Sequence, residues 1–404
     1  MTPWLHLVGI GDGGMDTLTP EAARIVAGAE IVFGGARHLA LLPETHPAER
    51  RPWRSPFADS APDILAARGR RAVVLATGDP SWFGPARWLR GVLGPGEFAV
   101  LPAPSAFSLA AARLGWSLED VRCLSIHGRP PEALVPELRD GARLLVLAED
   151  ARSPARLAEL LRARGFGASR LHLLEHMGGA AERLRETVAD GDVPADVAAL
   201  HTIGVDCRAD AGARRFSAVP GLPDDAFRHD GKMTKRTLRA LALAALEPMP
   251  GALLWDVGAG CGSISVEWLR AAPGGRVLAI EPDAARRAMI AENAARLAPA
   301  GLRIVPERAP AAFEGLPAPD AVFLGGGLTD GLFPAAFGAL KPGGRLVAHA
   351  VTLESEQILL ALHEVHGGEL LRVSVAAAEP VGPYRGWRPA MPVTHWHVTR
   401  KGTP

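Results

Sequence analysis

With 404 residues, the chain has room for two or three domains, each with its own core, and its 48% hydrophobic and 22% charged content is ordinary for a globular protein. Lys plus Arg and Asp plus Glu both number 44, which excludes the strongly basic balance of a nucleic-acid or acidic-membrane binder. Cys123, Cys207 and Cys261 are scattered without a C-x-x-C pair, so neither a disulfide framework nor a zinc site is expected. No signal-like segment or membrane-length apolar run is visible, and a cytoplasmic protein is the expectation.

Residues 4–10 read as a strand leading into Gly9-Ile-Gly-Asp-Gly-Gly14, which formally matches G-x-G-x-x-G. The next helix starts late, with Thr19 as N-cap and Pro20 at its first position, and Asp12 sets a negative charge where a pyrophosphate would lie. The loop is therefore read as shaping a cleft. A helix over 20–29 and a strand over 30–33 close a β-α-β unit, and 43–62 read as loop. The strand over 72–77 runs into Gly78-Asp-Pro80 at its carboxyl end, where open α/β sheets bind ligands. A strand over 98–101, Pro102-Ala-Pro-Ser105 and a helix to Leu114 end a first lobe near Trp116. A second lobe is expected from strands over 122–126, 143–147, 170–174 and 197–201. Helices near 131–139, 153–164 and 180–188 separate them. Residues 206–224 read as a linker between a domain over 1–205 and a second over 225–404.

The second half is organised around Leu253-Leu-Trp-Asp-Val-Gly-Ala-Gly-Cys-Gly-Ser-Ile-Ser265. A strand ends near Asp256, turns through Gly258, Gly260 and Gly262, and enters a helix whose N–H groups face any ligand there. A second strand over 276–280 ends in Glu281, an acid placed to hold the two hydroxyls of a ribose. That ribose fits NAD or S-adenosylmethionine. The position after Gly262 is Ser263, so the spacing is G-x-G-x-G rather than the dinucleotide fingerprint. Strands over 303–305, 320–324 and 344–349 continue an α/β alternation.

Three stretches of the first half resemble the tetrapyrrole methylase family: Val8-Gly-Ile-Gly-Asp-Gly-Gly14, Leu75-Ala-Thr-Gly-Asp-Pro-Ser-Trp-Phe83 and Pro102-Ala-Pro-Ser-Ala-Phe-Ser108. The glycine loop is similar to that of class I methyltransferases. Together with Phe227-Arg-His-Asp-Gly-Lys-Met-Thr-Lys-Arg236, Phe323-Leu-Gly-Gly-Gly327, Leu340-Lys-Pro-Gly-Gly-Arg345 and Pro380-Val-Gly-Pro-Tyr-Arg-Gly-Trp-Arg-Pro389, it resembles the decarboxylating precorrin methyltransferase domain. In this order the two halves resemble the fused precorrin methyltransferases of aerobic cobalamin synthesis. The resemblance implies a two-lobed class III domain followed by a Rossmann-like class I domain, both α/β. It also implies one S-adenosylmethionine site per domain and no metal. The implied reaction methylates carbons 5 and 15 of precorrin-6B and decarboxylates the carbon-12 acetate, giving precorrin-8. A homo-oligomer formed through the second domain is implied as well.

Carried over by position, Gly78, Asp79, Pro80, Phe83 and Ser105 would line the first cofactor cleft. Thr234, Asp256, Gly258, Ala259, Gly260, Cys261, Gly262, Glu281 and Ala309 would line the second, with Asp256 near the methionine end. Arg308 departs from the family's small polar or acidic residue. Methyl transfer from a sulfonium requires alignment above all, whereas decarboxylation also requires a proton. His229, His349 and Glu354 are the candidate acids, and each also has an ordinary structural use. Lys232, Arg385 and Arg388 are candidate partners for substrate carboxylates, with Lys235, Arg236 and Arg129 beside them. Trp82, Trp387 and Tyr384 are open between stacking and packing. The alternative reading keeps a methyltransferase acting on another acceptor, with the first half a non-catalytic tetrapyrrole-binding module.

Overall fold

The apolar runs pair as strands in the computed structural model, which describes residues 3–213, 216–217, 219–326, 328 and 331–402. Gly327 of the triple-glycine motif and Arg214, Arg215 and Ala218 of the linker lie outside the described residues. Two units separate: residues 1–131 with 137–213, and 132–136 with 214–404.

In the first unit, β1 (Leu5–Ile10), β2 (Ile31–Gly34), β3 (Glu49–Pro52), β4 (Ala72–Thr77) and β5 (Phe98–Leu101) form a parallel sheet in the order β3-β2-β4-β1-β5. Both faces of its central strands are covered, which is why β1 and β4 read as near-continuous apolar runs. Thr19 caps the helix Pro20–Ala27 by accepting the Ala22 N–H, with Pro20 at its first position. A second sheet follows, with β6 (Val121–Ser125), β7 (Arg143–Leu147), β8 (Arg170–Glu175), β9 (Arg183–Val188) and β10 (His201–Asp206) in the order β6-β7-β10-β8-β9.

Four local expectations change. The stretch read as a helix near 180–188 is strand β9, because a two-residue period brings Arg183 and Arg185 to the same buried carboxylate, Glu175. The helix near 131–139 is the short 3-10 segment Pro131–Glu137, since Pro136 lacks the N–H an α-helix needs there. The strand expected over 197–201 begins only at His201, while the N–H of Ala198 is taken by Glu175 at 2.7 Å. The region 43–62 contains β3, paired with β2.

In the second unit, β11 (Leu253–Val257), β12 (Arg276–Ile280), β13 (Leu302–Val305), β14 (Ala321–Leu324) and β15 (Arg345–Ala350) run parallel in the order β13-β12-β11-β14-β15. The strand β16 (Glu369–Val373) pairs antiparallel with β19 (Val393–Thr399), which itself pairs antiparallel with β15. A separate hairpin joins β17 (Ala376–Val381) to β18 (Tyr384–Pro389). β16 to β18 escape the sequence pattern because they are largely exposed, and buried β19 escapes it because Thr394, His395 and His397 break its apolar run.

Along β11, Leu253, Trp255 and Val257 face one core and Leu254 faces the other. Asp256 shares the Leu254 face, so a carboxyl group occupies a core position at 1% exposure. The chain order reverses at β11, which has β12 on one side and β14 on the other. The crevice at its carboxyl end is where such sheets bind ligands. Among the described residues, no helix is long and apolar enough to cross a membrane, and no group of three metal-binding side chains converges.

Candidate functional site

The crevice of the second unit is built from the glycine loop upward. Gly258, Gly260 and Gly262 all take positive φ, at 70°, 60° and 76°, and Gly262 caps the helix Ser263–Ala271. A side chain on Gly262 would press on Ile290 at 3.1 Å, so this glycine serves helix packing. The other two leave the loop partly exposed, with Gly258 exposed and Gly260 half-buried. A Cβ on either would make only ordinary contact, with the Gly326 carbonyl at 3.5 Å and the Lys232 carbonyl at 3.7 Å. Lys232 and Gly326 therefore border the loop.

Two buried carboxylates hold the loop. Asp256 accepts the Ser265 N–H at 3.0 Å and its hydroxyl at 2.6 Å, fixing the first turn of the helix to the strand. Burial pushes its carboxyl up to about 6, against the pull of the Ser265 hydrogen bonds, and the charge of Glu281 adds to the rise. Glu281, 3% exposed at the end of β12, accepts the Gly260 N–H at 2.8 Å and the Asp283 N–H at 3.0 Å.

The 221–234 segment is tied down by residues the sequence reading did not single out. Arg239, fully buried, donates to Glu267, to Asp224 at 3.1 Å and to the Thr234 carbonyl at 2.6 Å. Its guanidinium also lies 4.8 Å from the Phe227 ring centre. Glu267 in turn accepts the backbone N–H groups of Gly221 and Leu222. Asn293 clamps Arg228 through both its N–H and its carbonyl, and donates to the Cys261 carbonyl at 2.9 Å. The available signal was a polar residue on the apolar face of a helix, as with Glu267 in Ser-Ile-Ser-Val-Glu-Trp-Leu.

The proton-bearing candidates differ in setting. His229 accepts the Gly231 N–H through Nδ1 at 2.9 Å and so shapes its own turn. His349, one residue before the end of β15, is 8% exposed, and its Nε2 lies 2.9 Å from Nδ1 of His395. Burial, helped by the neighbouring ring, drives His349 down to about 3. Burial and His397 take His395 down to about 4. Both rings are neutral near pH 7. Glu354 lies in the first turn of the helix Leu353–His366, which Thr352 caps, and hydrogen bonding to its own backbone lowers its pKa first. Lys232 is exposed beside the loop. Arg385 and Arg388 are on the exposed hairpin, where Arg388 pairs with Glu379 at 2.9 Å. Ala309 packs partly buried against the core, and Arg308 is exposed.

In the first unit the ends of β1, β4 and β5 converge so closely that a Cβ on Gly9 would sit 1.9 Å from the Gly78 carbonyl and 2.5 Å from the Ala103 nitrogen. Gly78 takes φ 61°, and Asp79 accepts the Ser81 N–H at 2.8 Å in a tight Asx turn. Pro80 receives the Ala86 N–H on its carbonyl. Phe83 holds a positive φ of 56° and is 42% exposed, with the Arg129 guanidinium 5.0 Å from its ring centre. Ser105 caps the helix Ala106–Leu114 by accepting the Ser108 N–H at 3.0 Å.

A parallel sheet with an acid-flanked glycine loop at its reversal point, in a chain that also carries a second α/β unit with its own strand-end turn, defines a two-domain α/β enzyme of the methyltransferase type. Residues 4–191 match the tetrapyrrole (corrin/porphyrin) methylase family model, and residues 225–400 match the precorrin methyltransferase domain model. A Sinorhizobium protein named precorrin-6Y C(5,15)-methyltransferase [decarboxylating] is 47% identical over 99% of this chain and 97% of its own. The chain belongs to this family of decarboxylating precorrin methyltransferases. Two half-length relatives carry single activities in their names. A Salmonella typhi cobalt-precorrin-6B C(15)-methyltransferase (decarboxylating) is 38% identical over 40% of this chain and 85% of its own. A Salmonella typhimurium cobalt-precorrin-7 C(5)-methyltransferase is 31% identical over 45% of this chain and 88% of its own.

Proposed function

We propose that the two units are separate catalysts on one macrocyclic substrate. The first methylates carbon 5 of a precorrin-6B-type tetrapyrrole, and the second methylates carbon 15 and decarboxylates the carbon-12 acetate, giving precorrin-8. The observation that carries this reading is the partly exposed loop at Gly258 and Gly260, at the carboxyl end of β11 and bonded to buried Glu281 at 2.8 Å. The residues fit S-adenosylmethionine there. Glu281 offers carboxylate oxygens to a ribose, Thr234 and residues 258–262 offer backbone groups, Asp256 supplies negative charge beneath the loop, and Ala309 leaves room for a flat base. Bound there, the cofactor supplies a methyl group on a sulfonium. Gly78, Asp79, Pro80, Phe83 and Ser105 take the corresponding role in the first unit, and neither site uses a metal.

The protein's own part is alignment and proton supply. Lys232, Arg385 and Arg388 hold substrate carboxylates by charge-assisted hydrogen bonds, which fixes the macrocycle for in-line attack. Loss of carbon dioxide leaves an electron pair on the former acetate carbon, and one proton converts that carbon to a methyl group. His349 is the preferred donor over His229 and Glu354, since its neutral ring carries an N–H at the carboxyl end of the sheet and His395 can resupply it. Exposed Val381, Tyr384 and Trp387 on the hairpin support self-association through this unit.

Calorimetric titration of the full chain with S-adenosylmethionine tests the reading. Two sites are expected, one weakened by Asp79→Ala and the other by Glu281→Ala, with carbon dioxide release reduced only in the latter. A single site, or loss of both methylations in Asp79→Ala, overturns it.

A further inference from the structure

The loop Gly11–Gly14, read from sequence as cleft-shaping, holds a group of side chains that no assignment above uses. Asp12 accepts a hydrogen bond from His176 on Oδ2 at 2.9 Å and from Arg37 on Oδ1 at 3.0 Å. Arg37 continues to the Thr77 hydroxyl at 2.6 Å and lies 3.1 Å from His38, whose Nε2 also meets Thr77 at 2.8 Å. The His38 ring is held neutral by burial, down to about 4, with its Nδ1 buried and unpartnered. His176, Asp12, Arg37, His38 and Thr77 thus form one connected chain. It joins the carboxyl ends of β1, β4 and β8 and ends one residue before Gly78.

Two details mark this contact as built. The backbones of the two loops approach so closely that a Cβ on Gly179 would meet Asp12 Oδ2 at 2.6 Å, and one on Gly13 would meet the Gly178 carbonyl at 2.9 Å. His176 itself sits at φ +50°, a strained value for a non-glycine residue, and such strain gathers at functional positions. The Asp12 side chain is 16% exposed and that of His176 is 32% exposed, so the carboxylate is covered and the ring is open.

We infer that Asp12 and His176 form a carboxylate–imidazole dyad that takes the proton released when the first unit methylates carbon 5. The inference rests on the carbon-5 reading above. Asp12 accepts the Nδ1 proton, which fixes the tautomer and leaves Nε2 as a lone pair with no partner among the described residues. Arg37, bound to the other oxygen, holds the Asp12 carboxylate aimed at the ring. In the step, macrocycle π electrons form the new bond from carbon 5 to the methyl carbon. The carbon–sulfur bond breaks and its pair stays on sulfur as a neutral thioether. The proton on carbon 5 then passes to His176 Nε2, restoring conjugation. His176 is the catalytic base and Asp12 a positioning residue acting through it. Arg37 and His38 are the other ionisable groups linked to the pair.

The test uses the full chain, with 15N shifts to read the His176 tautomer and separate assays for carbon-5 methylation and carbon dioxide release. Wild type should hold the Nδ1–H tautomer, and Asp12→Asn should lose it. His176→Gln should slow carbon-5 methylation by about a hundredfold or more, the scale of general-base catalysis. S-adenosylmethionine affinity in the first unit and carbon dioxide release should stay within twofold of wild type. Asp12→Asn should slow the same step by about tenfold and shift the lower limb of its pH profile. The dyad is overturned if His176 carries its proton on Nε2, or if His176→Gln methylates carbon 5 within threefold of wild type. Should His176→Gln not fold, the tautomer and pH profile of Asp12→Asn decide alone. A wild-type chain that never methylates carbon 5 refutes the carbon-5 assignment instead.

Discussion

Glu281 is bonded to the loop it borders: one carboxylate oxygen accepts the Gly260 N–H at 2.8 Å while the other accepts the Asp283 N–H at 3.0 Å. The same side chain therefore fixes the loop and offers remaining lone pairs to a ribose. Hydrogen bonds to a charged group contribute about 1.5–3 kcal/mol each. Glu281→Ala is expected to weaken S-adenosylmethionine binding in the second unit by about 10- to 100-fold and leave the first site unchanged. Calorimetry on the full chain reads both, and unchanged affinity at both sites removes the ribose role.

The Arg239–Glu267 pair anchors the segment facing that loop, with side-chain exposures of 0% and 1%. Breaking a buried pair from one side leaves an uncompensated charge and costs about 3–5 kcal/mol. Glu267→Gln and Arg239→Met should each lower the urea midpoint of the second unit accordingly. The double variant should recover only part of the loss, because a glutamine amide offers one oxygen where Glu267 meets the Gly221 and Leu222 N–H groups with two. Singles within about 1 kcal/mol of wild type would show that the segment is held by other contacts.

These two pairs illustrate what the sequence made legible. The parallel strands, the helix cap at Thr19 and the glycine loop were readable because each rests on local chemistry: apolar runs, a capping residue and glycines at positive φ. Arg239, Glu267, Asn293 and the Asp12–His176 contact were not readable. Their partners lie 28, 65 and 164 residues away, and no local pattern encodes such pairings. Strands β16 to β18 were missed for a different reason: their exposed faces carry no hydrophobic period.

His349 and His395 sit neutral, held at about 3 and about 4 by burial. If His349 donates from a neutral ring, carbon dioxide release should show no falling limb as pH rises through 6.5, where an ordinary imidazolium would lose its proton. His349→Gln should reduce release by about a hundredfold and spare carbon-5 methylation. A falling limb centred near 6.5 that disappears in His349→Gln would instead identify a charged donor.

Asp256 gives the last prediction its sign. Its folded carboxyl stands at about 6 against an ordinary 3.8, so the folded state binds the extra proton and stability falls as pH rises from about 4 to about 6. Above 6 the penalty is constant, on the order of 3 kcal/mol for about two pKa units at a fully buried group. Asp256→Asn keeps an oxygen for the two Ser265 hydrogen bonds and removes the charge. At pH 7.5 the variant should therefore unfold at higher urea than wild type, with the gain vanishing near pH 4. Its affinity for S-adenosylmethionine in the second unit should fall about tenfold or more, because a charge kept at a stability cost beneath a binding loop serves the ligand. Urea midpoints across pH 4–8, paired with calorimetry at pH 7.5, separate the two effects. A variant no more stable than wild type at pH 7.5, or one that binds as tightly, breaks the link between this buried charge and the site above it.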